Sequence, residues 1–336
     1  MRVWQLNEVG LKGLHLTERP KPSAGPNEIL IRVHAVSLNY RDWEILTGQY
    51  ATVPSLPLIV ASDAAGEVVE VGSKVSRFRQ GDRVISTFRQ CWTDGIPTSS
   101  QLSSTLGGPL PGVLSEYILL HEEGAVAAPE YLNYVQASTL SVAAVTAWNA
   151  LVEDGPVLPD ETVLVQGSGG VSIFALQIAR ASGARVIALS SSGEKLERLK
   201  SLGANDGINY EEKDDWDRAV LSLTNGEGVD HVVDIAGGKS LQRSVNALRF
   251  GGHVAVVGYL DSATTSLQVV SLLWKRARIQ GVSIGSRRSF ERMLEMFQEH
   301  RIVPVVDAIY PFSQAHDAFV HLSRGSFGKV VIETHN

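Results

Sequence analysis

The sequence predicts an α/β protein built in two parts, a β-rich unit followed by a doubly wound parallel sheet. Three observations lead there. The first ~125 residues carry short β-type runs split by Gly and Pro. From Thr162 onward, short apolar runs alternate with helical patterns, the alternation that produces parallel strands with right-handed crossovers. A length of 336 residues, 44% of them hydrophobic, gives each part enough chain to bury its own core.

In the β-rich part, Ile29–Val36, Ala65–Val71, Arg83–Thr87 and Ser115–Leu120 read as strands. The stretches KPSAGPNE and VGSKVSRFRQGDRV supply the turns between them. The first strand runs into SLNYRDWEILTGQY, where Asn39-Tyr40-Arg41-Asp42 has the residue types of a turn and a helix start. Residues 89–112, rich in Ser, Thr, Gly and Pro, read as a surface excursion. In the second part, Thr162–Gln166, Arg185–Ser190, His231–Ile235 and His253–Gly258 suit strands buried on both faces. Helices are expected over Val171–Ser182, Glu194–Leu202 and Ser240–Phe250. The chain closes with a helix at Phe290–His300, a β-run at Val305–Ile309, a helix at Gln314–Ser323 and a strand at Lys329–Glu333.

Composition narrows the function. The formal net charge of −6, with no basic block, gives no electrostatic footprint for nucleic acid. No apolar run reaches the ~18 residues that span a bilayer. The opening MRVWQLNEVG lacks the charged-then-apolar order of a secretory signal, so a cytoplasmic protein is expected. Cys91 is the single cysteine, which rules out an internal disulfide and any zinc site needing two cysteines. The nine histidines form no helical i, i+4 pair.

The strongest motif is Gly167-Ser168-Gly169-Gly170-Val171-Ser172, set between a strand and a helix. Glycines there allow a tight turn and let backbone N–H groups approach a pyrophosphate at the positive end of the helix. Ser172 stands where GxGxxG has its last glycine, and a small residue still permits close packing. An NAD site places an acidic residue roughly 20 positions beyond the first glycine. Here Ser190-Ser191-Ser192 fills that place, followed by Lys195 and Arg198, which favours NADP over NAD.

Collinear with these features, GPNEILIRVHAVSLNYRD, GEVVEVGSKVSRFRQGDRV, GVLSEY, QASTLSVAAVTAWNAL, the glycine turn with its flanks, and FGKVVIE resemble the medium-chain dehydrogenase/reductase superfamily. The resemblance implies a chaperonin-10-like catalytic domain over residues 1–125 and a Rossmann cofactor domain over 126–270. Residues 271–336 would finish that sheet and return to the first domain. A homodimer joined through the strand near Ala277–Ser283 is also implied. Zinc enzymes of the superfamily place a cysteine ligand where this chain has Asn39 and a histidine ligand at Ser62-Asp63. Their four-cysteine lobe would fall within residues 89–112, which contain only Cys91. The chain is therefore similar to the zinc-independent quinone oxidoreductase and enoyl reductase branch, in which LNYRD-type sequences are usual.

Carried over by position, Gly167, Gly169, Gly170 and Val171 would hold the pyrophosphate, and Ser191, Lys195 and Tyr210 the 2′-phosphate. Thr146 and Tyr50 would lie near the nicotinamide ribose or phosphates, Gly258 and Ser283 to Ser286 beside the nicotinamide, and Lys329 resembles a residue that often reaches the cofactor. Without zinc, charge developing on the substrate oxygen needs hydrogen-bond donors, and Asn39, Tyr40 and Tyr50 are the candidates. Arg41 and Asp42 are expected to form a structural ion pair that orients the turn. The expected reaction is hydride transfer from NADPH to a quinone or α,β-unsaturated carbonyl. Its alternatives are a zinc-free carbonyl reductase or alcohol dehydrogenase acting on C=O, and a non-catalytic NADPH-binding protein.

Overall fold

Buried β-branched and apolar residues build the centre of the second half. TVLVQ at Thr162–Gln166 is flanked by Arg185–Ser190 and Val229–Asp234, and all three are almost wholly buried. The computed structural model describes residues 1–51 and 54–335. It divides into two units, residues 1–143 with 286–336, and residues 144–285.

The second unit holds a six-stranded parallel sheet in the order Asp206–Asn209, Arg185–Ser190, Thr162–Gln166, Val229–Asp234, Leu248–Val256, Arg278–Gly281. The order reverses on either side of Thr162–Gln166, so the turn leaving that strand sits at a topological switch point. Helices at Gly170–Ala181, Gly193–Ser201, Trp216–Leu223 and Gly238–Ala247 connect the strands. The third helix is shorter than the sequence predicts: it ends at Ala247, and Leu248–Phe250 opens the next strand, Leu248–Val256. Leu248 is extended at that helix's end, so the chain turns from helix to strand without a loop. Leu140–Ala144 and Asn149–Glu153 are π-helical turns around the short helix Val145–Trp148.

In the first unit, Val306–Pro311, Lys329–Glu333, Glu28–Ser37, Asp63–Val71, Arg83–Ser86 and Ala125–Ala127 follow one another in a sheet, with Tyr117–His121 also pairing Glu28–Ser37. A small sheet joins Leu14–Glu18, Arg2–Leu6 and Leu58–Ile59. Gly66 is required in this sheet, because a Cβ there would lie 2.2 Å from the Arg32 carbonyl oxygen. The core beneath is apolar, with Leu6, Ile29, Ile31, Leu38, Leu46 and Phe319 among its fully enclosed side chains. The 89–112 stretch contains a helical turn at Ser99–Leu102 and bridges joining Arg89 to Thr105 and Leu106 to Leu110.

The strand register positions the chemistry. Glu333, Ile332 and Val331 pair antiparallel with Ala35, Val36 and Ser37. Continuing that register two residues brings Lys329 opposite Asn39, where the long strand hands over to the helix Tyr40–Thr47.

Candidate active site

In the first unit, Asn39 caps the Tyr40–Thr47 helix. Its backbone N–H donates to Asp42 Oδ2 at 2.8 Å, and Asp42 N–H returns a bond to the Asn39 carbonyl at 2.9 Å. Lys329, only 3% exposed, donates from Nζ to Asn39 Oδ1 at 2.6 Å and to the Leu38 carbonyl at 2.7 Å. Asn39 Nδ2 faces Ser62 Oγ at 3.5 Å. Ser62 donates to Asp63 Oδ1 at 2.6 Å, and Val142 N–H donates to Asp63 Oδ2 at 3.2 Å.

This network is charged and dry. Burial pushes the Asp63 carboxyl up from its ordinary value, opposed first by the Lys329 ammonium. Burial raises Asp42 to about 6, opposed first by Arg41. The same desolvation lowers Lys329, while Asp63 and Asp42 pull it back up.

Arg41 does pair with Asp42, at 3.5 Å, as the sequence led us to expect. It also donates to the carbonyls of Leu106 and Gly108 at 3.2 and 3.3 Å. Its guanidinium lies over the rings of Tyr50 and Phe88, 5.1 and 5.0 Å from their centroids. Arg41 thus braces the 106–108 segment and fixes the Tyr50 ring, while the Tyr50 hydroxyl has no hydrogen-bond partner among the described residues. Tyr40 is 45% exposed.

In the second unit, Gly167 takes φ +76°, the left-handed region that glycine tolerates. A Cβ on Gly169 would meet nothing within 4 Å, so the space over the turn is open. Gly169 precedes the helix Gly170–Ala181 and no side chain caps it, which leaves the first-turn N–H groups of Gly170 and Val171 directed at that space. Beneath the turn, Ser172 Oγ donates to the Gln166 carbonyl at 2.5 Å. Gln166 Nε2 donates to Ser244 Oγ at 2.8 Å and reaches Asp234 Oδ2 at 3.5 Å, and Ser244 donates to Asp234 Oδ2 at 2.7 Å. The other Asp234 oxygen accepts N–H bonds from Ala236 and Gly237 at 3.0 and 2.8 Å.

At the end of Arg185–Ser190, Ser191 and Tyr210 are exposed and Lys195 is half-buried. Ser192 caps the next helix by accepting the Lys195 N–H at 3.2 Å. Tyr210 is tied to this strand by its N–H bond to the Ser190 carbonyl at 3.1 Å. Thr146 is buried in the Val145–Trp148 helix, Gly258 follows Leu248–Val256, and Ser283 follows the edge strand Arg278–Gly281. Ser286 belongs to the first unit, where it caps the helix Arg287–His300.

Two family models match in succession, the alcohol dehydrogenase GroES-like domain over residues 25–130 and the zinc-binding dehydrogenase domain over residues 170–299. A zinc-type alcohol dehydrogenase-like protein of Schizosaccharomyces pombe is 39% identical, covering 92% of this chain and 91% of its own. The quinone oxidoreductase of Mus musculus is 30% identical over 93% and 90%. The crystal structure of Escherichia coli quinone oxidoreductase complexed with NADPH superposes with a TM-score of 0.84, at 25% identity, over 99% of this chain and 100% of that one. The chain belongs to the medium-chain dehydrogenase/reductase superfamily.

Within that superfamily it falls in the quinone oxidoreductase-like branch, and it is an NAD(P)-dependent oxidoreductase. Its two parts are the GroES-like domain and the Rossmann-type parallel sheet. The residues at the superfamily's zinc-ligand positions, Asn39 and Ser62, are joined to each other and to an ammonium. Among the described residues, no group of three or more His, Cys, Asp and Glu side chains could hold a metal ion.

Gln166, Asp234 and Ser244, which support the glycine turn, are not among the residues marked by the sequence motifs. A carboxylate ending an apolar strand, as Asp234 ends VDHVVD, was the available signal. The motifs also give Asp63 no role beyond the missing ligand.

Proposed function

We propose that this protein is an NADPH-dependent, zinc-free reductase of quinones or α,β-unsaturated carbonyls in the cytoplasm. The observation that carries the reading is the Lys329–Asn39 hydrogen bond, at 2.6 Å. A side chain bonded to an ammonium through its oxygen is spent as a metal ligand, and its remaining capacity is as an N–H donor. A second cation placed there would face the Lys329 charge.

The open turn and uncapped helix start suit a pyrophosphate held by Gly167, Gly169, Gly170 and Val171. Ser191, Lys195 and Tyr210 supply hydroxyls and a cation for a 2′-phosphate. Thr146, Gly258 and Ser283 of the second unit would serve the rest of the cofactor. Bound NADPH supplies the hydride. Asn39 Nδ2, the Tyr50 hydroxyl and the Tyr40 hydroxyl donate hydrogen bonds to the acceptor oxygen as it gains charge. Tyr50, held by Arg41, presents its hydroxyl in a fixed direction, and solvent or a tyrosine returns the proton.

The chain is further proposed to form a homodimer through the second unit. There Arg278–Gly281 is a sheet edge, and the helix Val269–Lys275 exposes Val269, Val270, Leu273 and Trp274. Sedimentation of the native protein and of Trp274→Glu tests this, and a native monomer would refute it.

The decisive experiment follows NADPH oxidation against quinones, enals and aldehydes, with NADH in parallel. Turnover with NADPH well above NADH is expected, and a saturated aldehyde from an enal. An allylic alcohol would instead mark carbonyl reduction, and cofactor binding without turnover a non-catalytic protein. Equal NADH turnover would overturn the NADP assignment. Stoichiometric zinc lost together with activity on chelation would overturn the zinc-free one.

A further inference from the structure

Lys329 is a buried cation on a strand end, bonded to a carbonyl and to one amide oxygen, with a carboxylate behind that amide. We infer that Lys329 is a positioning residue, whose ammonium fixes the Asn39 side chain with Oδ1 inward and Nδ2 presented as the hydrogen-bond donor to the reacting oxygen. The inference rests on the proposed reductase reading and assigns the residue that makes its donor work.

An ammonium only donates, so the atom of Asn39 that faces it must be the oxygen. The amide nitrogen is thereby turned toward Ser62 Oγ. That contact is 3.5 Å long, the outer edge of a hydrogen bond, and the same amide also hydrogen-bonds the Asp63 carboxyl. Ser62 cannot take over as donor toward Asn39, because its own proton is spent on Asp63 Oδ1 at 2.6 Å. Asp63 therefore has two tasks: it holds Ser62 in the accepting orientation, and its charge keeps Lys329 protonated. Asp42 anchors the Asn39 backbone at 2.8 Å and is itself neutralised by Arg41. With backbone and amide oxygen both held, the amide nitrogen has one direction. The adjacent positive charge also polarises the amide, so its N–H bonds an oxyanion more strongly than a neutral carbonyl.

The protonated form is the active one. Burial lowers Lys329 while Asp63 and Asp42 raise it, and the balance lies below the ordinary lysine value. Activity should accordingly fall as pH rises through that lowered value, and the Asn39 amide should change with it.

The test uses the full chain in two arms. In the first, the Asn39 side-chain 15N–1H resonances, assigned by their loss in Asn39→Asp, are followed with pH in native protein and in Lys329→Met. Native resonances should titrate below the ordinary lysine range, and those of Lys329→Met should be displaced and flat. Asn39 resonances indifferent to Lys329→Met would overturn the inference whatever the activity. The second arm measures kcat and KM with NADPH. Lys329→Met leaves Asp63 buried without its cation, so Asp63→Asn/Lys329→Met serves as the variant with a neutral network. It should unfold near the native midpoint and bind NADPH normally, yet lose about tenfold to a hundredfold in kcat with the acceptor KM little changed. It should also lack the alkaline limb of the native profile. Native kcat in that double variant would overturn the inference and leave the reductase reading standing. Absence of NADPH turnover in the native protein would overturn that reading and with it the catalytic role of Asn39. The resonances would then report only on the amide's orientation.

Discussion

Each unit buries one carboxylate at a strand end, and the two are held in opposite ways. Asp234, in the second unit, is surrounded by neutral donors: Ala236 N–H, Gly237 N–H, Ser244 and Gln166. Asp63, in the first, has three neutral donors, Ser62, Asn39 and Val142 N–H, and an ammonium as its leading charge partner. Burial raises both carboxyls, but hydrogen bonds alone oppose the rise at Asp234. A carboxylate saturated by fixed dipoles is architecture, and here it supports the strand end next to the glycine turn. One balanced against a titratable cation leaves a donor available and stays sensitive to pH. That difference is why we propose support for one network and chemistry for the other.

The most severe way to break the comparison is Asp234→Ala. It strands two backbone N–H groups and two side-chain donors in a dry interior, where each unpaired group costs about 1–3 kcal/mol before relaxation. A loss of roughly 3 kcal/mol or more in urea unfolding is expected. Asp234→Asn, which keeps an acceptor for Ala236 and Gly237, should lose less. Equal losses in the two variants would show that the bonds to these N–H groups do not matter.

Asp63→Asn should have a smaller effect with a different signature. It leaves the Lys329 ammonium without its main counter-ion, so the folded-state lysine value falls further below the unfolded one. Between those two values the unfolded chain binds more protons, and stability rises with pH. The variant should be destabilised near neutrality, where a buried cation has lost its partner, and should recover as pH approaches the free lysine value. Unfolding midpoints measured from pH 7 to 10 check this, and a parallel offset at every pH would contradict it.

What the sequence made legible follows from range. Thr162–Gln166, Arg185–Ser190 and Lys329–Glu333 were read to the residue, because a continuous apolar run is a local signal. The hairpin Arg2–Leu6 with Leu14–Glu18 was passed over, since RVWQL and LHLTE are too short and mixed to alternate cleanly. The π-helical turns at Leu140–Ala144 and Asn149–Glu153 carry no composition of their own. Asn39 was picked out by resemblance, but its partner lies 290 residues along the chain, and only the register of the last strand brings it there.

A third contrast sets Lys329 against His253, a buried base of the second unit with no counter-ion. Both His253 ring nitrogens are buried without a hydrogen bond, and a Cβ on Gly155 would lie 2.2 Å from Nδ1. Burial, then the charges of His231 and Arg278, lower His253 to about 4. The folded protein therefore binds fewer protons than the unfolded one between about pH 6.5 and 4, and stability falls as pH drops through that window. His253→Leu should flatten that slope, recovering about 1–2 kcal/mol at pH 5 with little change at pH 7. An unchanged acid slope would place the titration elsewhere.

The smallest expected effect separates support from chemistry within the second unit. Ser172 stands where the dinucleotide motif has glycine, and its hydroxyl bonds the Gln166 carbonyl, one residue before the turn. Gln166 is also the residue whose amide reaches Ser244 and Asp234. Ser172→Gly removes one buried hydrogen bond and adds a glycine near the start of a helix, together about 1–2 kcal/mol. It leaves the N–H groups of Gly170 and Val171 in place. Thermal unfolding should register the loss while the NADPH dissociation constant moves less than about threefold, under 1 kcal/mol. A larger loss of NADPH affinity would mean that the Ser172 bond shapes the turn itself, and that the Asp234 network reaches into cofactor binding through Gln166.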